Sequence, residues 1–162
     1  MIKHRVIAIL ILLFIANIIA AQIPAATIPE FTFYRFNQTA FTNKDLPTGK
    51  MIFIVFFDPD CDHCQHAIAT IGQQYHAFKK TAVYLISMFD QNKMNHFMDT
   101  YGKALKEQKN VVLLKDKLGQ FINKFKPRKY PSMFLYSPEK KLLVYEDDPA
   151  NIPKFIKAIA AK

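Results

Sequence analysis

Apolar and polar positions fall into blocks along the chain, and each block has the period of one element. Residues 51–57 are apolar throughout, as in a strand buried on both faces. Across 61–78, Ile68, Ile71, Tyr75 and Phe78 recur at helical spacing, which predicts one amphipathic helix. Residues 82–87 read as the next strand, so the three elements form a βαβ unit with a right-handed crossover. Asp90 or Asn92 can cap a second helix whose inner face is Met94, Phe97, Met98 and Tyr101. Residues 111–114 predict a short strand, and Leu118, Phe121, Ile122 and Phe125 mark a short helix. A loop at 126–131 leads to strand 132–136, and a turn at 138–140 folds the chain back into strand 141–145. Asn151 is placed to cap a last helix, with Pro153 in its first turn and Ile152, Phe155, Ile156 and Ile159 facing inward. Ahead of all this, 31–36 and 40–42 predict a hairpin at the sheet edge, and 45–50, with Pro47 and Gly49, a turn. The sum is an α/β chain: a mixed sheet flanked by helices, with an N-terminal β-hairpin.

The first 21 residues have a different pattern. Lys3, His4 and Arg5 make a basic start, residues 6–15 an apolar centre, and Ala20 and Ala21 precede Gln22 as a cleavage point. That is the layout of a secretory signal. The competing reading is an uncleaved anchor, against which stand the shortness of the apolar stretch and its interruption by Asn17. Residues 22–30, with Pro24 and Pro29 among small side chains, read as a linker, which leaves 31–162 as one domain.

Composition adds one exclusion. With 51% hydrophobic residues the chain folds, and its formal charge is +9 from 22 basic and 13 acidic side chains. The basic residues are scattered and no nucleic-acid motif accompanies them, so the charge serves solubility rather than RNA or DNA binding. No phosphate loop, Ser/His/Asp triad or pair of catalytic carboxylates is visible, and nothing calls for a bound cofactor.

The chemistry concentrates in 57–64, Phe-Asp-Pro-Asp-Cys-Asp-His-Cys, which holds the only two cysteines. The apolar strand feeds the helix there. Cys61 and Cys64 therefore lie in a first turn whose N–H groups lack intrahelical partners and whose dipole favours an anion. Such a place makes a thiolate from a thiol, and the i, i+3 spacing allows a disulfide. Cys61, opening the helix, is the expected nucleophile, more exposed and more acidic; Cys64, one turn in, is the resolving thiol. A purely structural disulfide would close too small a loop to stabilise much. In an exported chain, so sparse a pair is a working pair.

With these elements in place the chain resembles thioredoxin-fold proteins of the TlpA/ResA-like branch, over residues 31–161. The resemblance rests on strand 51–57 running into the C-x-x-C segment, on Tyr130-Pro131 followed by strand 132–136, and on the terminal hairpin and helix. It implies a three-layer thioredoxin-like fold and an exported thiol–disulfide oxidoreductase, most simply a reductase. Protein or peptide disulfides and dithiols would be its substrates, and a separate redox partner would recycle it. Contact with a membrane is implied only if the N-terminal segment stays uncleaved.

In the family the proline equivalent to Pro131 is cis, and the residue before it, here Tyr130, pairs with an extended substrate. His63, between the sulfurs, would tune the redox poise by favouring the thiolate, while Asp58, Asp60 and Asp62 oppose it by like charge. Lys124, Lys126, Arg128 and Lys129 would form a basic rim or a solvated loop. The chain departs from the family at Asp60, where an aromatic is usual, and at Val55 and Ala67, where relatives bury an acid. Two rival readings exist: a metal carrier using Cys61, His63, Cys64 and His66, and a non-catalytic binding module. Met88, Met94, His96 and Met98 carry donor atoms for copper, but Met94 and Met98 belong to a helix core face.

Overall fold

Strand β3 (Ile52–Phe56) is the centre of the molecule, and both its faces are covered. Phe53, Val55 and Phe57 point into one core, Ile52, Ile54 and Phe56 into another. The computed structural model describes residues 23–161. The leader assigned to 1–21 lies outside them.

The other strands are β1 (Thr32–Tyr34), β2 (Ala40–Thr42), β4 (Ala82–Ser87), β5 (Val111–Lys115), β6 (Ser132–Tyr136) and β7 (Leu142–Glu146). They form one seven-stranded sheet in the order β2-β1-β5-β4-β3-β6-β7. Strands β3, β4 and β5 are parallel, with Phe56 opposite Ile86 and Ile86 opposite Leu114. Strand β6 runs antiparallel to β3, with Phe56 opposite Ser132. The C-terminal ends of β3, β4 and β5 and the start of β6 therefore meet at one edge of the sheet.

Among the described residues five helices flank the sheet: α1 (Asp62–Gln73), α2 (Gln91–Thr100), α3 (Lys103–Lys106), α4 (Gln120–Phe125) and α5 (Ile152–Ala160). Helix α2 starts at Asp90, whose carboxylate accepts the Lys93 N–H at 3.0 Å.

Several expectations are corrected. The helix expected over 61–78 stops at Gln73, and Tyr75–Phe78 is a separate 3₁₀ turn. That tighter turn delivers Phe78 beneath Phe53, with ring centroids 5.0 Å apart; apolar spacing over a single turn does not separate the two helix types. Helix α3 was not visible in the pattern, because its four residues bury only Leu105. Asn151 makes no side-chain cap. Its amide donates to Glu146 at 2.9 Å, and Asp148 caps the preceding 3₁₀ turn by accepting from the Ala150 N–H. Helix α4 begins only at Gln120, so Leu118 lies in the turn before it, 65% exposed; on the helix Phe121 and Phe125 are buried and Ile122 is 39% exposed. The stretch read as a linker is tied to the domain. The Ala25 N–H donates to the Phe125 carbonyl and the Ile28 N–H to that of Lys140, while the Leu142 N–H donates to the Ala26 carbonyl.

Candidate active site

The site is built where β3 ends. The Phe57 N–H still donates to the Ile86 carbonyl at 3.0 Å, and Asp58 then turns the chain. Its carboxylate accepts the Asp60 N–H at 2.8 Å and its carbonyl the Cys61 N–H at 3.2 Å. This two-bond turn stops the strand and presents Cys61 as N-cap of α1, in extended conformation (φ −90°, ψ 116°). The Cys64 N–H points back at Cys61, 3.4 Å from its sulfur and 2.9 Å from its carbonyl oxygen.

Both cysteines are free, and their surroundings are opposite. Cys61 is half-buried, whereas Cys64 is completely enclosed among Ala67, Ile68 and neighbouring core side chains. Burial pushes the Cys64 thiol strongly up. A backbone hydrogen bond from Asp58 opposes the shift, and the charges of Cys61 and Asp58 add to it. Val55 and Ala67 are fully buried, so neither familiar position offers an acid. The carboxylate whose field reaches Cys64 is that of half-buried Asp58.

Electrostatics around Cys61 are less acidic than the three aspartates imply. Asp60 is ion-paired with Lys93, whose ammonium also lies 4.6 Å over the Phe89 ring. The hydrogen bond to Asp60 raises the Lys93 pKa. Asp62 is exposed in the first turn of α1, where a carboxylate complements the helix dipole. His63 is exposed and, among the described residues, no hydrogen bond joins it to either sulfur. It instead borders a cavity of ≈ 250 Å³ with Lys129, Tyr130, Asp147, Asp148 and Pro149.

Across the edge stands the Tyr130–Pro131 pair, joined by a cis peptide bond. The Tyr130 ring packs on Phe56, centroids 4.9 Å apart. It touches the core that holds the cysteines as well as the core that holds Phe56 and Phe121. Burial, reinforced by Asp58, Cys64, Asp116 and Cys61, pushes its phenol up to about 12.

The loop carrying Tyr130 is pinned from β7. The Ser132 hydroxyl donates to the Lys129 carbonyl at 2.7 Å, so the 2.8 Å bond between Ser132 and Tyr145 is donated by the tyrosine. The same Tyr145 oxygen accepts the Arg128 N–H at 2.9 Å. Asp147 bridges Arg128 at 2.9 Å and Lys129 at 3.7 Å, so part of the expected basic rim is neutralised. Lys124 is drawn away to the Glu30 carbonyl. A Tyr145→Phe substitution removes two of these bonds and should cost about 1–2 kcal/mol, read as a lowered urea midpoint with unchanged slope. No loss at all would show the pinning to be idle.

Sequence reasoning missed this anchor and also missed Asp116, a buried carboxylate at the end of β5. Asp116 accepts the Gln120 and Phe121 N–H groups at 3.0 and 2.8 Å and so fixes the start of α4 at the same edge. The signal was local, an acid four residues ahead of a short helix, but Gly119 in the left-handed region (φ 62°) occupies the cap position.

Buried acidic groups give the reduced protein an alkaline limit. Burial raises Cys64, Tyr84 (to about 12) and Tyr136. The fold keeps protons that the unfolded chain releases from about pH 8.5 (thiol) and 10 (phenol) upward. Their stabilisation is complete below those values and is lost as pH rises toward the folded ones. Stability should fall by up to about 1.4 kcal/mol per pH unit for each group. Urea titrations at pH 8, 9 and 10 check this, and Cys64→Ala should flatten the first part of the decline.

Residues 24–145 match the AhpC/TSA family. The chain belongs to that family. Among solved structures, this AhpC/TSA protein is similar to a candidate thiol:disulfide interchange protein DsbE from Chlorobium tepidum. The two share 17% identity at a TM-score of 0.69, over 87% of this chain and 98% of the other. It is also similar to a secreted disulfide oxidoreductase of Mycobacterium tuberculosis homologous to DsbE, at 20% identity and TM-score 0.65, covering 82% and 96%. The peroxidoxin BcpB of M. tuberculosis matches at 14% identity and TM-score 0.68, over 85% and 96%. At these identities the likeness is one of fold, the thioredoxin-like sheet described above. No curated protein matches the sequence. Among the described residues no helix is long and apolar enough to cross a membrane, and no group of three or more His, Cys, Asp or Glu side chains is arranged to hold a metal ion.

Proposed function

We propose that this AhpC/TSA protein is an exported thiol–disulfide oxidoreductase that reduces disulfides of polypeptide substrates through Cys61 and Cys64. The observation that carries the reading is the asymmetry of the pair. One sulfur is accessible at a helix N-terminus with a backbone N–H aimed at it; the other is wholly enclosed, its thiol held protonated by burial. Export is supported by the basic and apolar leader pattern and by the likeness to a secreted oxidoreductase.

The Cys61 thiolate attacks one sulfur of the substrate disulfide; the S–S bond breaks and the other substrate sulfur leaves as a thiolate. Cys64 then attacks Cys61, and its proton passes to the departing substrate sulfur. The second substrate sulfur departs, and the protein is left oxidised by two electrons as the Cys61–Cys64 disulfide. An external dithiol reductant restores it. Tyr130 lines the edge along which the substrate backbone lies, and Pro131 holds it there. His63 and Asp62, both exposed beside the pair, tune the poise through their charge rather than through contact with sulfur.

Insulin reduction by the full-length protein with a dithiol donor tests the reading, and the reduction potential tests its direction. A potential near about −270 mV agrees with a reductase, and one near about −120 mV reverses the assignment to an oxidase. Insulin reduction no faster than with the donor alone would leave a binding module as the better reading.

A further inference from the structure

We infer that a pocket beside Tyr130 selects substrates by an apolar side chain two or three residues from the cysteine that Cys61 attacks. This inference rests on the reading above and specifies its substrate class. The pocket is a cavity of ≈ 230 Å³, room for one side chain of leucine or phenylalanine size, lined by Phe56, Ile122, Pro127, Arg128, Lys129 and Tyr130. Its floor is rigid, because Phe56 stacks on Phe121 at 4.2 Å and packs against Tyr130 at 4.9 Å.

Two further observations make it a recognition pocket rather than a packing fault. First, Ile122, on the helix that borders it, is 39% exposed, apolar surface that folding does not use. Second, Tyr130 is a wall shared with the redox centre, since its ring contacts the core containing Cys61 and Cys64 as well as the core containing Phe56. Tyr130 alone separates the pocket from the packing around the cysteines, and an extended chain advances about 3.3 Å per residue, so we place the recognised side chain two or three residues from the sulfur held at Cys61. The far side of Tyr130 has the opposite character. The cavity there is bordered by His63, Lys129, Asp147 and Asp148 and would repel the same apolar side chain. Tyr130 thus divides an apolar subsite toward α4 from a charged one toward β7, and only one of them desolvates a leucine.

The test uses the reduced full-length protein in single turnover. Its substrates are peptides whose one cysteine is capped as a mixed disulfide, with Leu, Ala or Asp placed in turn two and three residues to either side. Hydroxyethyl disulfide, too small to reach the pocket, serves as reference. Leu at one of these positions should react about tenfold faster than Ala, the scale set by burying an aliphatic side chain, and Asp should be slower still. In Ile122→Asp the Leu/Ala ratio should fall below about threefold; Ile122→Ala gives the same readout should the first variant not fold. Equal rates for Leu, Ala and Asp in a protein that still reduces hydroxyethyl disulfide would overturn the pocket and leave the oxidoreductase reading standing, as would a ratio unmoved by either substitution. A protein inert toward hydroxyethyl disulfide overturns both.

Discussion

A Cys64→Ser protein is expected to capture its substrate as a covalent adduct, while Cys61→Ser captures nothing. In the first variant the accessible sulfur and the N–H aimed at it are intact, so attack proceeds and the mixed disulfide forms. The resolving sulfur is gone, and release must wait for an outside thiol. In the second variant the remaining sulfur is enclosed, with its thiol pushed up by burial, and no substrate disulfide can approach it. Turnover in Cys61→Ser should drop by more than about a thousandfold, as when other catalytic nucleophiles are removed. Non-reducing electrophoresis of each variant with insulin separates the cases. Adduct in Cys61→Ser, or equal adduct in both, would assign the nucleophile wrongly.

The second large effect concerns stability. Phe121 is completely buried and stacks on Phe56 and on Phe125, each at 4.2 Å, with Phe134 edge-on at 5.8 Å. Its N–H is also held by Asp116. Phe121→Ala removes the ring shared by most of the aromatic cluster under the sheet, and the backbone anchored at Asp116 limits collapse of the resulting cavity. The cost should be about 3–5 kcal/mol, a large share of the 5–15 kcal/mol typical of a domain. Urea denaturation of the reduced protein measures it, and a loss under about 1 kcal/mol would mean that the cluster repacks freely. Since Phe56 and Tyr130 rest on the same ring system, this variant should also turn over more slowly than its folded fraction accounts for.

How far the chain could be read depends on where each interaction lives. The strand 51–57 was legible because burial on both faces leaves an unbroken apolar run, and β3 is enclosed at every position. The break of the long helix at Gln73 was not legible, since a 3₁₀ turn and a last α-turn place Phe78 almost alike along the sequence. The start of the next helix was illegible for a related reason, and Leu118, counted with it, lies in the turn before it. A six-residue helix is too short for its period to say which apolar residues turn inward, and the stacking of Phe121 and Phe125 decides it. At the site, the strand-to-helix turn and the order of the two sulfurs are local features, set within Asp58 to Cys64. The Tyr145–Ser132 anchor and the Asp60–Lys93 pair join residues far apart in the chain, so no local spacing announces them, and the local signal of Asp116 is masked by Gly119 at the cap position.

By itself, then, the order of residues determined the sheet-and-helix alternation, the cysteine pair at a helix start and the proline segment that faces it. These follow from short-range rules: period, capping and the fixed φ of proline. Tertiary structure decided how completely Cys64 is sealed, which charges around Cys61 are cancelled and what lies to either side of Tyr130. Exposure and field depend on neighbours brought in by β4, β5, β6 and β7. That is why one cysteine stands half open at the sheet edge while the other, three residues on, is sealed in the core.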